Sequence, residues 1–231
     1  MSLKSLLLKM AGKENFNLDS KIGMDYIARQ CWKYGWMMIR GRLFSAFHSN
    51  IANSVFVGLH VKAIEKRHMT IGRKCKLHEK VYIDALSKEG VILEDCVVLG
   101  RNTRIECSGG LQNIGKGVKI GARSTFGSDC FFGAAGGIVI GEDVVAGQYI
   151  RFHSENHNYS DLSVLIKDQG VTHRGIKIGN NCWIGAGAVF LDGAELGDGC
   201  VVAANAVVTR KFPANSVIGG VPARTLKNRG E

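Results

Sequence analysis

From Ile71 onward an aliphatic or aromatic residue recurs every six positions. The register runs Ile71, Leu77 and Ile83, then Leu93, Leu99 and Ile105, then Ile114, Ile120, Phe126 and Phe132, then Ile140, Ala146 and Phe152. After a break it resumes at Ile178 and continues through Ile184, Phe190, Leu196, Val202 and Val208. The residue after each anchor is mostly Gly, small or acidic. A small or apolar side chain often returns four positions later, as at Cys75, Val81, Val118, Val144, Cys182 and Ala206. A six-residue period is neither the 3.6 of an amphipathic helix nor the 2 of a half-exposed strand. It fits a short strand plus a bend, with the anchor inward and the Gly or small residue allowing the corner. One such unit cannot bury its apolar face alone, but stacked units bury a continuous column. Three units make a triangular turn, and about eight turns at ~4.8 Å each give a prism on the order of 40 Å tall. An antiparallel sandwich would show two-residue alternation and hairpin dipeptides, which are scarce here.

The pattern gives way once at length. Residues 153–175 are polar and contain His153, His157 and His173. A repeat that breaks for a polar, histidine-bearing segment and then resumes in step predicts an extruded loop that carries a site. A histidine near its ordinary pKa of ~6.5 can remove a proton at neutral pH. His153 and His157 compete for that role, and His173 reads as structural or acceptor-facing. Glu155, Asn156, Tyr159, Asp161 and Asp168 are the polar neighbours, and one of the carboxylates can fix the orientation of the base.

Ahead of the repeat, residues 1–20 are polar and mixed and read as loose. Residues 21–48 are rich in aromatics, Met and Arg, and predict a helix weakened by Gly23, Gly35 and Gly41. This segment reads either as a cap over the open end of the core or against a neighbouring subunit, or as a basic, Trp-bearing surface at a membrane interface. The expected organisation is an N-terminal, partly helical segment at 1–54, a β-coil domain at 55–227, and a short tail at 228–231. Pro213 and Pro222 mark the end of the coils, and Arg229–Glu231 reads as frayed.

Charge and cysteine usage narrow the partners. The chain of 231 residues carries a formal net charge of +10. Residues 1–50 hold Lys4, Lys9, Lys13, Lys21, Arg29, Lys33, Arg40 and Arg42 against Glu14, Asp19 and Asp25. Such a balance favours nucleotide-like cofactors, acidic glycans or an anionic membrane. No nucleic-acid motif accompanies it. The seven Cys contain no CxxC pair and read as reduced thiols of a cytoplasmic protein. Ser5–Met10 is too short for a signal sequence, and no apolar run approaches a membrane span.

Residues 178–227, from IGNNCWIG to GGVPARTLK, resemble the C-terminal signature of the sugar O-acetyltransferases built on hexapeptide repeats. HSENHNYSD at 153–161, followed by DQG and then IKIGNNCWIG, is most similar to the branch that modifies capsular, colanic acid or O-antigen polysaccharide. The resemblance covers roughly Ile71 to Lys227. It implies a left-handed parallel β-helix; spacing alone does not give that hand. It implies an acetyl-CoA-dependent O-acetyltransferase that assembles as a homotrimer, with a carbohydrate acceptor and no metal. Counted from Ile140, the family's catalytic base falls on His157. For the cofactor, Trp183 matches the Trp beside the pantetheine channel. Ala186 and Ala204 match small residues along that channel. Thr209 and Arg210 match a Thr-Lys pair at the nucleotide end, and Arg224 and Lys227 match basic residues near the 3′-phosphate. The positions that hold Asn and Asp in the small-galactoside enzymes fall on Gly127 and Ala135, which favours a different glycan. The expected location is cytoplasmic, with peripheral contact at the inner membrane. Two other readings use the same fold: a metal hydratase like the γ-class carbonic anhydrases, with His153 and His157 as two of three zinc ligands, and a non-catalytic scaffold.

Overall fold

The computed structural model describes residues 19, 21–110 and 113–231. The readings made for 1–18 and 20, including Ser5–Met10, lie outside the described residues. From Phe56 the chain winds as a parallel coil with three faces, and every third strand joins the same sheet. Face 1 carries Phe56–Val57, Lys76–Leu77, Val98–Leu99, Thr125–Phe126, Val145–Ala146, Trp183–Ile184, Val201–Val202 and Ser216–Gly220. Face 2 carries Lys62–Ile64, Tyr82–Asp84, Arg104–Glu106, Phe131–Gly133, Arg151–His153, Val189–Leu191 and Val207–Val208. Face 3 carries Met69–Ile71, Val91–Leu93, Val118–Ile120, Ile138–Ile140, Ile176–Ile178, Glu195–Leu196 and Lys211–Phe212. The coil begins earlier than the clean six-residue period, with Ile51 already bridged to Ile71.

The anchors point inward in rotation, Ile71 on face 3, Leu77 on face 1, Ile83 on face 2, and all three are fully or almost fully buried. Phe132, Phe152 and Phe190 form a stacked column behind face 2, with ring centroids 4.8 and 5.0 Å apart. Stacking at that distance adds to the burial of each ring and holds the coils in register.

Ile114 is 40% exposed and is no anchor. The five three-residue strands of face 3, Val118–Ile120 among them, bury both end residues, so after Ile105 the next inward pair is Val118 and Ile120. The glycine after the anchor does not make the corner by a left-handed backbone. That backbone sits three positions after the anchor, at Lys74 (φ 58°), Lys80 (φ 61°), Asn102 (φ 58°) and Asp143 (φ 57°). The glycine serves close stacking instead: a Cβ on Gly100 would lie 2.3 Å from the carbonyl carbon of Gly127 in the next coil.

All departures from the six-residue step leave the coil between face 2 and face 3. The insertions occupy 65–68, 85–90, 107–117, 134–137 and 154–175, one above another along the same edge. The other two edges keep the short turn through most of the stack.

The helix α1, Met24–Ser45, packs across the first strand of face 1. Its buried stripe is Ile27, Met37, Gly41, Phe44 and Ser45. Gly41 is required there, because a Cβ would lie 1.7 Å from the carbonyl oxygen of Val55. Gly23 is the N-cap, and Gly35 faces open space. The three glycines that weaken the helix in isolation are therefore outweighed by tertiary packing. At the other end Ala223–Asn228 turns back antiparallel to Ser216–Gly220. Arg229 is tied to the coil, its N–H donating to the Asn215 carbonyl at 2.7 Å, so the end of the chain is not frayed as expected. No helix among the described residues is long and apolar enough to cross a membrane.

Candidate active site

The long loop is clamped where it leaves and where it returns. On the way out, buried Ser154 donates its hydroxyl to the Gly133 carbonyl at 2.8 Å and accepts the Gly136 N–H at 3.0 Å. On the return, the buried Asp192 carboxylate accepts the N–H of Arg174 at 2.8 Å, the N–H of Gly175 at 2.7 Å and the Thr172 hydroxyl at 3.2 Å. A buried carboxylate with this many donors is strongly held in one place. Asp192 was not singled out from the sequence. Its signal is an acid buried two positions beyond the Phe190 anchor, in the coil directly after the loop.

Between these clamps Asn156–His157 pairs antiparallel with Val171–Thr172. The distal part is self-tied. Asn158 donates to the Gln169 carbonyl at 3.0 Å, Gln169 Nε2 donates to the carbonyls of Asp161 at 2.7 Å and Val164 at 2.8 Å, and Asp161 accepts the Ser163 hydroxyl at 2.6 Å. That hydrogen bonding holds the Asp161 carboxyl below its ordinary pKa. Asp168 sits in the short 3-10 turn Ile166–Asp168, and Tyr159 is exposed. Neither meets His157 in a hydrogen bond. The tip carries exposed Leu162, Val164, Leu165 and Ile166.

His153 and His157 line one cleft at the base of the loop, with Glu106, Ser108, Phe131, Ala135 and Glu155. His157 is exposed and its ring makes no side-chain hydrogen bond among the described residues. His153 lies on face 2 between Gly133 and Leu191, its ring against Phe131 at 5.5 Å between centroids. Partial burial, and then the Arg151 charge, push its pKa below the usual 6.5. Glu155 serves a different ring from the one the sequence pointed to: its Oε2 lies 2.6 Å from Nε2 of His173. Asn156 holds the strand that presents His157.

The residues expected to hold the cofactor fall in two groups. Trp183, 60% exposed, stands on face 1 between Val145 and Val201. Ala186 and Ala204 follow at the edge between faces 1 and 2, in successive coils. Arg224 and Lys227 lie on the last strand, opposite Gly219 and Val217. Thr209 and Arg210 instead lie on the loop-bearing edge, where they line a second groove with Arg174, Lys177, Asp192 and Glu195. The Arg210 guanidinium rests over Phe212 at 5.1 Å. The two former acceptor positions also part: Ala135 lines the histidine cleft, and Gly127 is stacked beneath Gln148 on the edge between faces 1 and 2. Among the described residues no group of three His, Cys, Asp or Glu side chains is gathered as a metal site.

Residues 175–210 match the family described as bacterial transferase hexapeptide (six repeats). A probable acetyltransferase of Mycobacterium tuberculosis is 30% identical over 161 residues, 62% of this chain and 54% of its own length. The galactoside O-acetyltransferase of Escherichia coli is 44% identical over 52 residues, 22% of this chain and 26% of its own. The chain thus spans about half the length, or less, of the curated relatives it matches. Among solved structures, an N-acyltransferase from Bacillus cereus in complex with dTDP and coenzyme A shares the fold at a TM-score of 0.50 and 14% identity, over 76% of this chain and 81% of that one. The match over residues 175–210, set beside the repeat and the three-faced parallel coil, makes the chain similar to the bacterial hexapeptide-repeat transferases.

Proposed function

We propose that the protein is an acetyl-CoA-dependent O-acetyltransferase that modifies a sugar hydroxyl of a bacterial surface polysaccharide or its precursor. The observation that carries this reading is the clamped loop presenting His157 unpaired over a cleft at its base. His157 is the general base. A ring nitrogen takes the proton of the acceptor hydroxyl as its oxygen attacks the thioester carbonyl carbon. The tetrahedral intermediate then collapses, the C–S bond breaks, and the CoA thiolate leaves with the proton returned by the imidazolium. Backbone N–H groups beside the cleft stabilise the oxyanion. No acyl-cysteine takes part. The cleft is lined by no Cys, and Cys75, Cys107, Cys130, Cys182 and Cys200 are buried inside the coil.

The division of the cofactor residues between two regions of one chain supports a site shared by two subunits. In this reading the coil winds left-handed and the chain forms a trimer. Trp183, Ala186, Ala204, Arg224 and Lys227 of one subunit line the CoA channel, and His157 reaches it from the loop of the next. The apolar loop tip, Leu162 to Ile166, is then covered by the neighbouring subunit. Thr209 and Arg210 serve the phosphate-bearing end of CoA. His153, Glu155, Asn156, Tyr159 and Asp168 border the acceptor or orient the base, and the Glu155–His173 pair stiffens the stem between them. The segment 1–54, the coil 55–227 and the tail 228–231 act as one cytoplasmic unit, with peripheral contact at the inner membrane through 21–48.

The test follows release of the CoA thiol from acetyl-CoA against a panel of sugars and bacterial polysaccharides. Wild type is expected to turn over on at least one glycan, and His157→Ala to lose ~10²–10⁴-fold in kcat. Full activity in the variant sinks the base assignment. Absence of CoA binding by calorimetry sinks the transferase reading.

A further inference from the structure

The helix α1 has two apolar stripes on opposite sides, and the coil covers only one. The second stripe is Trp32, Trp36, Ile39 and Leu43, spaced at helical intervals and 71%, 45%, 47% and 73% exposed. Residues three and four apart share a helix face, and these four point away from Ile27, Met37, Gly41 and Phe44. The two indoles meet edge to face, with centroids 5.9 Å apart. Ala28, Cys31 and Gly35 complete a shallow apolar groove beside them. Just past the helix Phe47 stands fully out in solvent, at φ 66°. A run of exposed aromatics this continuous marks a surface that is covered by something.

The charge around the stripe identifies the cover. Arg29, Lys33, Arg40 and Arg42 lie in this helix against Asp25 alone. By helical spacing Arg29, Lys33 and Arg40 border one side of the stripe and Arg42 the other. Lys33 also reaches Glu79 at 2.9 Å, and Arg40 Nε donates to the Val57 carbonyl at 2.9 Å, so the helix is fixed to the coil with its outer stripe turned out. Arg42 has no ion-pair partner among the described residues, and the Arg29–Asp25 pair is 71% exposed on both sides. Indoles flanked by guanidinium groups suit the boundary between acyl chains and anionic headgroups, where the rings sit at that boundary and the cations meet phosphate. The helix is too polar to cross the bilayer, so it lies in the plane of the interface.

We infer that α1 docks the protein on an anionic lipid surface through Trp32, Trp36, Ile39 and Leu43, with Arg29 and Arg42 on the headgroups. This specifies the membrane contact of the proposed function and rests on no catalytic step, so its failure leaves the transferase reading standing.

The test sediments the purified full chain with phosphatidylcholine vesicles, with and without phosphatidylglycerol. Tryptophan quenching by brominated acyl chains is read in parallel, on a Trp183→Phe background that leaves only the helix indoles. Binding is expected to be at least tenfold tighter with phosphatidylglycerol, to weaken as salt rises, and to show quenching. The pair Trp32→Ser/Trp36→Ser should lose at least tenfold and Arg29→Gln/Arg42→Gln somewhat less. Both pairs should keep the wild-type circular dichroism and melting temperature, since the altered side chains are exposed. Absence of sedimentation with either vesicle overturns the inference. So does a fall in solution mass for Trp32→Ser/Trp36→Ser by light scattering, which would make the stripe an interface between copies of the chain.

Discussion

The edge between faces 1 and 2 and the edge between faces 2 and 3 are built from the same repeat and do opposite things. On the first, Gly100, Gly127, Gly147, Ala186 and Ala204 succeed one another with backbone nearly in contact; a Cβ on Gly147 would lie 2.8 Å from the Ala186 nitrogen. Nothing longer than a short turn leaves the coil there. On the second, every insertion emerges, and the longest presents His157. The lesson is a division of labour. A stack bonded on all three faces needs only some of its corners to hold register. Tight corners fix the coil, and the corner released from that duty accumulates chemistry. The Phe132, Phe152 and Phe190 column lies behind face 2, so the released edge still rests on a rigid wall.

The contrast can be broken in graded ways. The largest effect is the His157→Ala loss, which amounts to about 3–5 kcal/mol of barrier and should leave thermal stability unchanged because the ring is exposed and unpaired. Next, Gly100→Val on the tight edge forces a side chain against the Gly127 backbone. Overpacking of this kind costs about 1–3 kcal/mol, read as a lower midpoint in chemical denaturation with a full return of activity per folded molecule. A Gly100→Val protein of wild-type stability would show that the tight edge is not needed.

Asp192→Ala should behave in the reverse way. It removes the acceptor for three donors at the loop's return, an effect of about 1–3 kcal/mol, but one confined to the stem. Expected is a drop in kcat well beyond the drop in melting temperature, with hydrogen exchange rising at 171–175 and not in the coils. If exchange rises throughout the coil instead, the clamp belongs to the scaffold rather than to the site.

The smallest effect is a pH dependence. The folded-state pKa of His153 lies below its ordinary value because of burial and then Arg151. His78 is lowered in the same direction, first by burial and then by Lys33. In the window below about 6.5 the unfolded chain binds more protons than the folded one, so stability present at neutral pH is lost as pH falls. His153→Gln should flatten part of that acid-side loss in melting scans from pH 7 to pH 5. An unchanged slope would show that His153 is as solvated when folded as when unfolded.

The coil was legible because its anchors are a one-dimensional code: Leu77, Leu99 and Phe126 fall in sequence where face 1 needs an inward side chain, whatever lies far away. The code failed at Ile114, where an insertion reset the phase and two apolar residues, Val118 and Ile120, bury within one strand. The helix was legible in kind, but Gly41 argued against it, because the contact with Val55 that requires a glycine is visible only in three dimensions. At the site, the loop and His157 stood out by composition. The pairing of Glu155 with His173 did not, since it depends on a register between two strands that are far apart in sequence. Asp192 stayed hidden for the same reason: its three donors come from the other end of the loop.

The left-handed residues at the corners carry a consequence for how the protein can be altered. Lys74, Lys80, Arg123 and Tyr149 hold positive φ without being glycine, and a side chain in that region costs about 1–2 kcal/mol. The fold therefore tolerates many small frustrations spread along its length, none of them at the loop stem's clamps. Replacing such residues by glycine or asparagine offers a route to a hardier scaffold that leaves the loop untouched. The same tolerance allows surface charge to be rewritten corner by corner with the interior kept.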